Sequence, residues 1–183
     1  YKCCLSSEEL QELRNKSREK GIPIKSPWRN KSTNDLNENY VIRLKMPTEG
    51  STIINDLVQG EVSVKNEILD DMVILRSDNT PTYMLSSVVD DHEMGITHII
   101  RGDDHLNNAF RQIQIIKYMT WKEPFYAHIP LIHGTDGTKL SKRHGATNVF
   151  EYNNMGYLSH AMFSYLLQLG WSSSNEDDYQ ISR

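Results

Sequence analysis

The sequence predicts an α/β chain, with a doubly wound, mostly parallel sheet preceded by a smaller α+β segment. Three observations predict it. From 83 to 133, helical and apolar stretches alternate in the order helix, strand, helix, strand, the order of a parallel sheet with crossover helices. The apolar runs at 96–100 and 127–133 are near-continuous, as in strands covered on both faces. Before Asn79, three stretches alternate apolar and polar residues, the period of half-buried antiparallel strands.

The elements follow in order. A surface helix is expected over 6–20, because Ser6 with Glu9 forms a capping box and Gly21 stops it. The stretch 22–39, with Pro23, Pro27 and a polar run, is expected to be a loop. Strands are expected at 40–46, 57–65 (bent at Gly60) and 72–77, forming one small antiparallel unit. A helix at 83–93 ends at Gly95, a buried strand follows at 96–100, and Phe110, Ile113, Ile116 and Met119 mark an amphipathic helix over 107–119. A second buried strand is expected at 127–133. Asn148 with Glu151 caps a short helix ending near Gly156, and Leu158, Met162, Leu166 and Leu169 line one face of a helix that ends at Gly170.

The chain of 183 residues is 38% apolar and 24% charged, and no run approaches the roughly 18 apolar residues that suggest a membrane span. Cys3 and Cys4, adjacent and alone, supply neither a disulfide framework nor a zinc-type spacing, which fits a reducing, cytoplasmic setting. The start carries no secretory pattern and no Met, so an internal fragment is expected. The net charge of −4 hides an asymmetry: +4 over 1–46 and −9 over 47–110. A basic segment beside an acidic one fits an anionic polymer on part of the surface, or two differently solvated faces.

The segment Gly134-Thr-Asp-Gly-Thr-Lys-Leu-Ser-Lys-Arg-His-Gly145 carries the most chemistry. Asp136-Gly137 signals a tight turn, and Lys139, Ser141, Lys142 and Arg143 then crowd cations and donors between glycines. Lysine is a compact charge on a flexible stem, suited to following negative charge from a triphosphate to a departing pyrophosphate. Taken alone, the same five residues also read as a solvated turn.

KLSKR, Lys139 to Arg143, followed by His-Gly-Ala, resembles the KMSKS-type signature of class I aminoacyl-tRNA synthetases in its glutamyl branch. The likeness continues in order through Gly60-Glu-Val, Leu69-Asp-Asp, Val73-Ile-Leu-Arg-Ser-Asp, Thr80-Pro-Thr-Tyr, Val88-Val-Asp-Asp-His, Met94-Gly-Ile-Thr-His, Ile100-Arg-Gly, Asp104-His-Leu, and Tyr157 to Trp171. The resemblance to glutamyl-tRNA synthetases implies the second half of a Rossmann-like catalytic domain: 1–79 as part of an acceptor-binding insertion, 80–145 as the second Rossmann half, and 146–183 as the start of a helical stem-contact region. It implies that ATP and L-glutamate condense to glutamyl-adenylate, and that the glutamyl group passes to the terminal adenosine of tRNA(Glu), with tRNA(Gln) as a second candidate. Lys142 and Lys139 are then the catalytic lysines. Ile132, Lys139, Leu140, Ser141, Lys142 and Arg143 contact ATP, which arrives with Mg2+. Tyr83, Arg101, Ser87, Asp104 and His105 face substrate. A phenol and an always-charged guanidinium suit a carboxylate; the alternatives are a core tyrosine and a surface arginine.

The chain departs from the family in places. The His-Ile-Gly-His-like motif and an early arginine of the first half are expected before Tyr1, so the fragment alone is expected to be inactive. Leu5 stands where some members have the second cysteine of a zinc knuckle, so no zinc is expected. Ser87 stands where some have asparagine. The triplets Asp90-Asp-His and Asp103-Asp-His do not read as metal sites: in the first, neighbouring helix positions diverge by about 100°, and the second begins a helix just after a strand, where acids complement the helix dipole. A monomer is expected. Two further readings remain open: a paralogue that glutamylates a modified base of tRNA(Asp), and a non-catalytic RNA-binding module that keeps the basic segment.

Overall fold

Local signals set most of the helices. In the computed structural model, which describes residues 1–31, 39–134, 136–140 and 148–170, Ser6 Oγ accepts from the Glu9 N–H and Glu9 accepts from the Ser6 N–H. This capping box opens α1 (Ser7–Lys20), and Gly21 closes it at φ +62°. Pro27 opens a 3-10 turn, Pro27–Asn30, inside the stretch expected to be a plain loop, because Ser26 Oγ accepts from the Trp28 N–H. Residues 32–38 of that stretch lie outside the described residues.

The chain divides into two compact units, the first comprising 1–101 and 105–128, the second 102–104 and 129–183. In the first unit, β1 (Lys2–Cys3), β2 (Val41–Arg43) and β5 (Val73–Leu75) form an antiparallel sheet in the order β1-β2-β5. Asp71, fully buried beside it, accepts from Tyr1 Oη at 2.9 Å, from the Met46 N–H at 3.0 Å and from the Arg29 guanidinium.

The second sheet runs in the order β4-β3-β7-β6, from β3 (Ser51–Asp56), β4 (Gly60–Lys65), β6 (His98–Gly102) and β7 (Phe125–Ile129). Here the structure corrects the sequence reading. The strand expected at 57–65 begins only at Gly60; 57–59 is a turn, and 51–56 forms a strand that the expected elements do not include. The reason is local: Asp56 Oδ1 accepts from the N–H groups of Val58 and Gln59, and Gly60 takes φ +77°, so Leu57 and Val58 sit exposed at a hairpin tip. Nor do the alternating stretches form one antiparallel sheet: 41–43 and 73–75 lie in the first sheet and 60–65 in the second. The β3–β4 hairpin is antiparallel, but β3 pairs in parallel with β7, with Asp56 opposite Tyr126.

Two further strands are shifted. Helix α2 (Tyr83–Glu93) ends as expected, but Gly95 at φ +65° and the bond from Ile96 N–H to Asp91 C=O consume 95 and 96 in closing it. The strand therefore starts at His98, and Ile100 is 65% exposed rather than buried. The strand expected at 127–133 ends at Ile129, because Pro130 has no N–H for a ladder.

Helix α3 (Leu106–Tyr118) holds the core. Ala109, Phe110 and Ile113 pack with Met46, Ile54, Leu69 and Tyr126; Ile115 and Ile116 pack with Met72 and Val88 on its other side. Each large side chain buried there stabilises the fold by about 1.5–3 kcal/mol. The second unit carries α4 (Val149–Asn154), N-capped by Asn148, and α5 (Ser159–Gly170). Residues 171–183 lie outside the described residues. Among the described residues, no helix is long and apolar enough to cross a membrane.

Candidate active site

In the first unit the site grows from the ends of β6 and α2. Pro81 lets the chain turn from β5 into α2, and Thr82 Oγ1 donates to the Val73 carbonyl at 2.8 Å, which fixes where the helix begins. Tyr83 is therefore the first helical residue, half exposed, with its hydroxyl accepting from Arg101 Nη1 at 3.3 Å. Arg101, one residue before the end of β6, also donates from Nη2 to the His105 carbonyl at 3.3 Å and from Nε to His128 Nε2 at 3.1 Å. The His105 ring lies 6.2 Å from the Tyr83 ring, and its Nδ1 is 3.2 Å from Asn108 Nδ2. Tyr83, Arg101 and His105, picked from the sequence, thus form one cluster.

Ser87 does not join it. It sits one turn beyond Tyr83, but its Oγ accepts from Gln112 Nε2 at 2.7 Å and so faces α3.

Two residues that the sequence reading missed complete the cluster. His128 is fully buried on β7, with Nδ1 2.6 Å from Asp56 Oδ2. Burial pushes the Asp56 carboxyl up, but N–H donations from Gln59, the His128 ring and backbone, and Val58 outweigh it and hold it down at about 2. The charge of Arg101 extends further. Burial raises the Asp91 carboxyl, with Arg101 opposing, and burial likewise pushes the Tyr126 phenol up to about 12. The Arg101 guanidinium carbon stands 6.0 Å from the Tyr126 ring centroid.

In the second unit, Asp136-Gly137 makes the expected hairpin. Gly137 takes φ +74°, the Gly134 N–H donates to the Thr138 carbonyl at 2.8 Å, and His133 bridges Lys139. The Ile132 carbonyl accepts from the Leu140 N–H at 2.8 Å. Lys139 Nζ lies 2.5 Å from Asp104 Oδ2. Ser141, Lys142 and Arg143 lie outside the described residues. Among the described residues, no three His, Cys, Asp or Glu side chains gather around a common point.

The family profile for the catalytic domain of class I tRNA synthetases of the E and Q type matches residues 1–181. The chain belongs to this family. It is 58% identical over 181 residues to a glutamate–tRNA ligase 2 of Paramagnetospirillum magneticum, a match covering 97% of this chain and 38% of that protein. It is 56% identical over 186 residues to a glutamate–tRNA ligase 1 of Sphingopyxis alaskensis, covering 100% of this chain and 38% of that protein. Among solved structures, a glutamate tRNA ligase from Elizabethkingia meningosepticum in complex with its amino acid superposes at TM-score 0.78 and 31% identity, covering 98% of this chain and 42% of that one. The chain therefore spans about two fifths of the relatives it matches. The Tyr83–Arg101–His105 cluster lies within the residues that the catalytic-domain profile matches.

Proposed function

We propose that the full-length protein containing this chain is a glutamate–tRNA ligase. ATP and L-glutamate condense to glutamyl-adenylate and pyrophosphate, and the glutamyl group then passes to the 3′-terminal adenosine of tRNA(Glu). The observation that carries this reading is Arg101, held against Tyr83 at the carboxyl end of a sheet strand, where open α/β sheets bind ligands. The α-carboxylate of glutamate is itself the nucleophile, so the protein positions reactants and stabilises charge at the α-phosphate. Arg101 and Tyr83 hold glutamate. Asp104 and His105 border it, and Ser87 is a weaker contact because it is engaged by Gln112. Lys139 and Lys142, with Leu140, Ser141, Arg143 and Ile132, hold ATP and follow the departing pyrophosphate. Mg2+ would accompany the triphosphate and offset its negative charge.

In this reading 1–79 belongs to the acceptor-binding insertion, 80–145 to the second Rossmann half, and 146–183 opens the stem-contact region. The protein acts in the cytoplasm as a monomer, and tRNA(Gln) is a second candidate acceptor. The test is glutamate-dependent charging of tRNA(Glu) and tRNA(Gln), offered separately to the full-length protein and its Lys142→Ala variant. The reading expects charging that falls by orders of magnitude in the variant. No charging of either tRNA by the unaltered protein would overturn it.

A further inference from the structure

Arg101 carries five N–H donors and no acceptor. Three are committed within the fold: Nε to His128, one on Nη1 to Tyr83 and one on Nη2 to the His105 carbonyl. Among the described residues that leaves one N–H on each terminal nitrogen, a pair suited to the two oxygens of a carboxylate. Which way this pair points depends on what grips the Nε side, and the grip comes from two residues far away in sequence.

The His128 ring is read twice, by independent neighbours. On one side, Asp56 is ionised and can only accept, so the Nδ1 that lies 2.6 Å from its Oδ2 must carry a proton. On the other, the Arg101 Nε–H faces Nε2 at 3.1 Å, so Nε2 must be a bare acceptor. Both demand the same neutral tautomer, with the proton on Nδ1. A ring protonated on Nε2 would set N–H against N–H and leave Arg101 with no partner behind it. The Asp56 and His128 side chains are both wholly buried, and the His128 carbonyl accepts from Gln59 Nε2 at 3.0 Å, which ties the backbone that carries the ring to the β3–β4 turn.

We propose that Asp56 and His128 are positioning residues: the carboxylate fixes the His128 tautomer, and the ring in turn fixes the Arg101 guanidinium for the glutamate carboxylate. This rests on the assignment of Arg101 to glutamate made above. The role is that of an outer partner that orients a group touching substrate, as carboxylates orient imidazoles at other sites.

Asp56→Asn is the sharpest probe. The N–H groups of Val58 and Gln59 aim at Oδ1, and the His128 N–H is shared between Oδ1 and Oδ2 at 3.1 Å each, so an asparagine keeps its oxygen at the Oδ1 position and turns its NH2 toward Nδ1. The ring must then move its proton to Nε2 and present a donor to a donor. In the full-length synthetase the KM for glutamate should rise about tenfold or more, while the KM for ATP changes by less than about twofold. His128→Phe should do the same, and His128→Gln, whose carbonyl can reach the Nε2 position, should recover most of the lost affinity. Selective 15N-histidine labelling reads the tautomer without substrate and without relying on any variant folding. The expected result is a proton on Nδ1 of His128; a proton on Nε2 overturns the proposal. An unchanged glutamate KM in Asp56→Asn and His128→Phe, with Arg101→Ala raising it, also overturns the proposal, as does an equal rise in both KM values. An unchanged glutamate KM in Arg101→Ala would instead overturn the assignment of Arg101 and the purpose given to the relay, while the 15N signals still report whether the tautomer is held.

Discussion

Lys139 Nζ lies 2.5 Å from Asp104 Oδ2, so the first lysine of the KLSKR loop faces a carboxylate of its own chain. The pair is largely exposed, and exposed pairs contribute only about 0–1 kcal/mol. A triphosphate competes easily for such a lysine. Lys139→Ala should raise the KM for ATP about tenfold, whereas Asp104→Asn should change it by less than about threefold. Steady-state charging at varied ATP checks both.

Gly102→Ala acts on the same pair indirectly. A Cβ at this position would stand 2.7 Å from Asp104 Oδ1 and 3.1 Å from Leu131 Cδ2. The carboxylate must swing away from its place, while the backbone itself is unstrained. Activity should fall about tenfold with little change in melting temperature, since small misplacements at a site cost rate more than stability. Charging assays alongside thermal unfolding test this.

Asp56 makes stability depend on acid pH. Its folded carboxyl sits at about 2, below its ordinary value of 3.8, so the stabilisation is complete above about pH 5 and is lost as pH falls toward 2. The amount is about 2 kcal/mol, at 1.36 kcal/mol per unit. Urea unfolding at pH 6 and pH 3 should show about half of this loss, the rest following as pH falls to 2 and below, and Asp56→Asn should flatten that part of the slope.

Asp71 is the anchor of the other sheet. Replacing it with Ala strands the Arg29 guanidinium and the Met46 N–H, both of which it now accepts from. Removing one partner of a buried pair costs on the order of 3 kcal/mol. The urea midpoint should drop accordingly, with an unchanged slope.

Ser87→Ala separates packing from substrate contact. It removes the acceptor for the Gln112 amide, whose Oε1 already lacks a partner among the described residues. A stability loss of about 1–2 kcal/mol is expected, with the glutamate KM shifting less than about threefold. A larger shift in KM would return Ser87 to the substrate.

Residues whose structure is decided by near neighbours were legible. Ser6 and Glu9 announced α1, Gly95 announced the end of α2, and Asp136-Gly137 announced the hairpin. The shifted strands failed for equally local causes that pattern alone underweights: the cap that absorbs Ile96 and the missing N–H of Pro130. Tyr83 and Arg101 were legible through their motifs. Asp56 and His128 were not, because each looks like an ordinary strand residue until a partner 72 positions away arrives beside it. Ser87 shows the converse: its position was legible, but its orientation is set by Gln112 on another helix.

The parallel contact between β3 and β7 has a consequence for protein engineering and for descent. A transplant that replaced only 1–79 with a relative's segment would exchange Asp56 and its hairpin for foreign ones, while leaving β7 and His128 behind. The recipient would have to match the newcomer's strand register and its buried carboxylate at the same time. Chimeras should therefore tolerate joints that keep 51–65 together with 125–129, and fail at joints that part them.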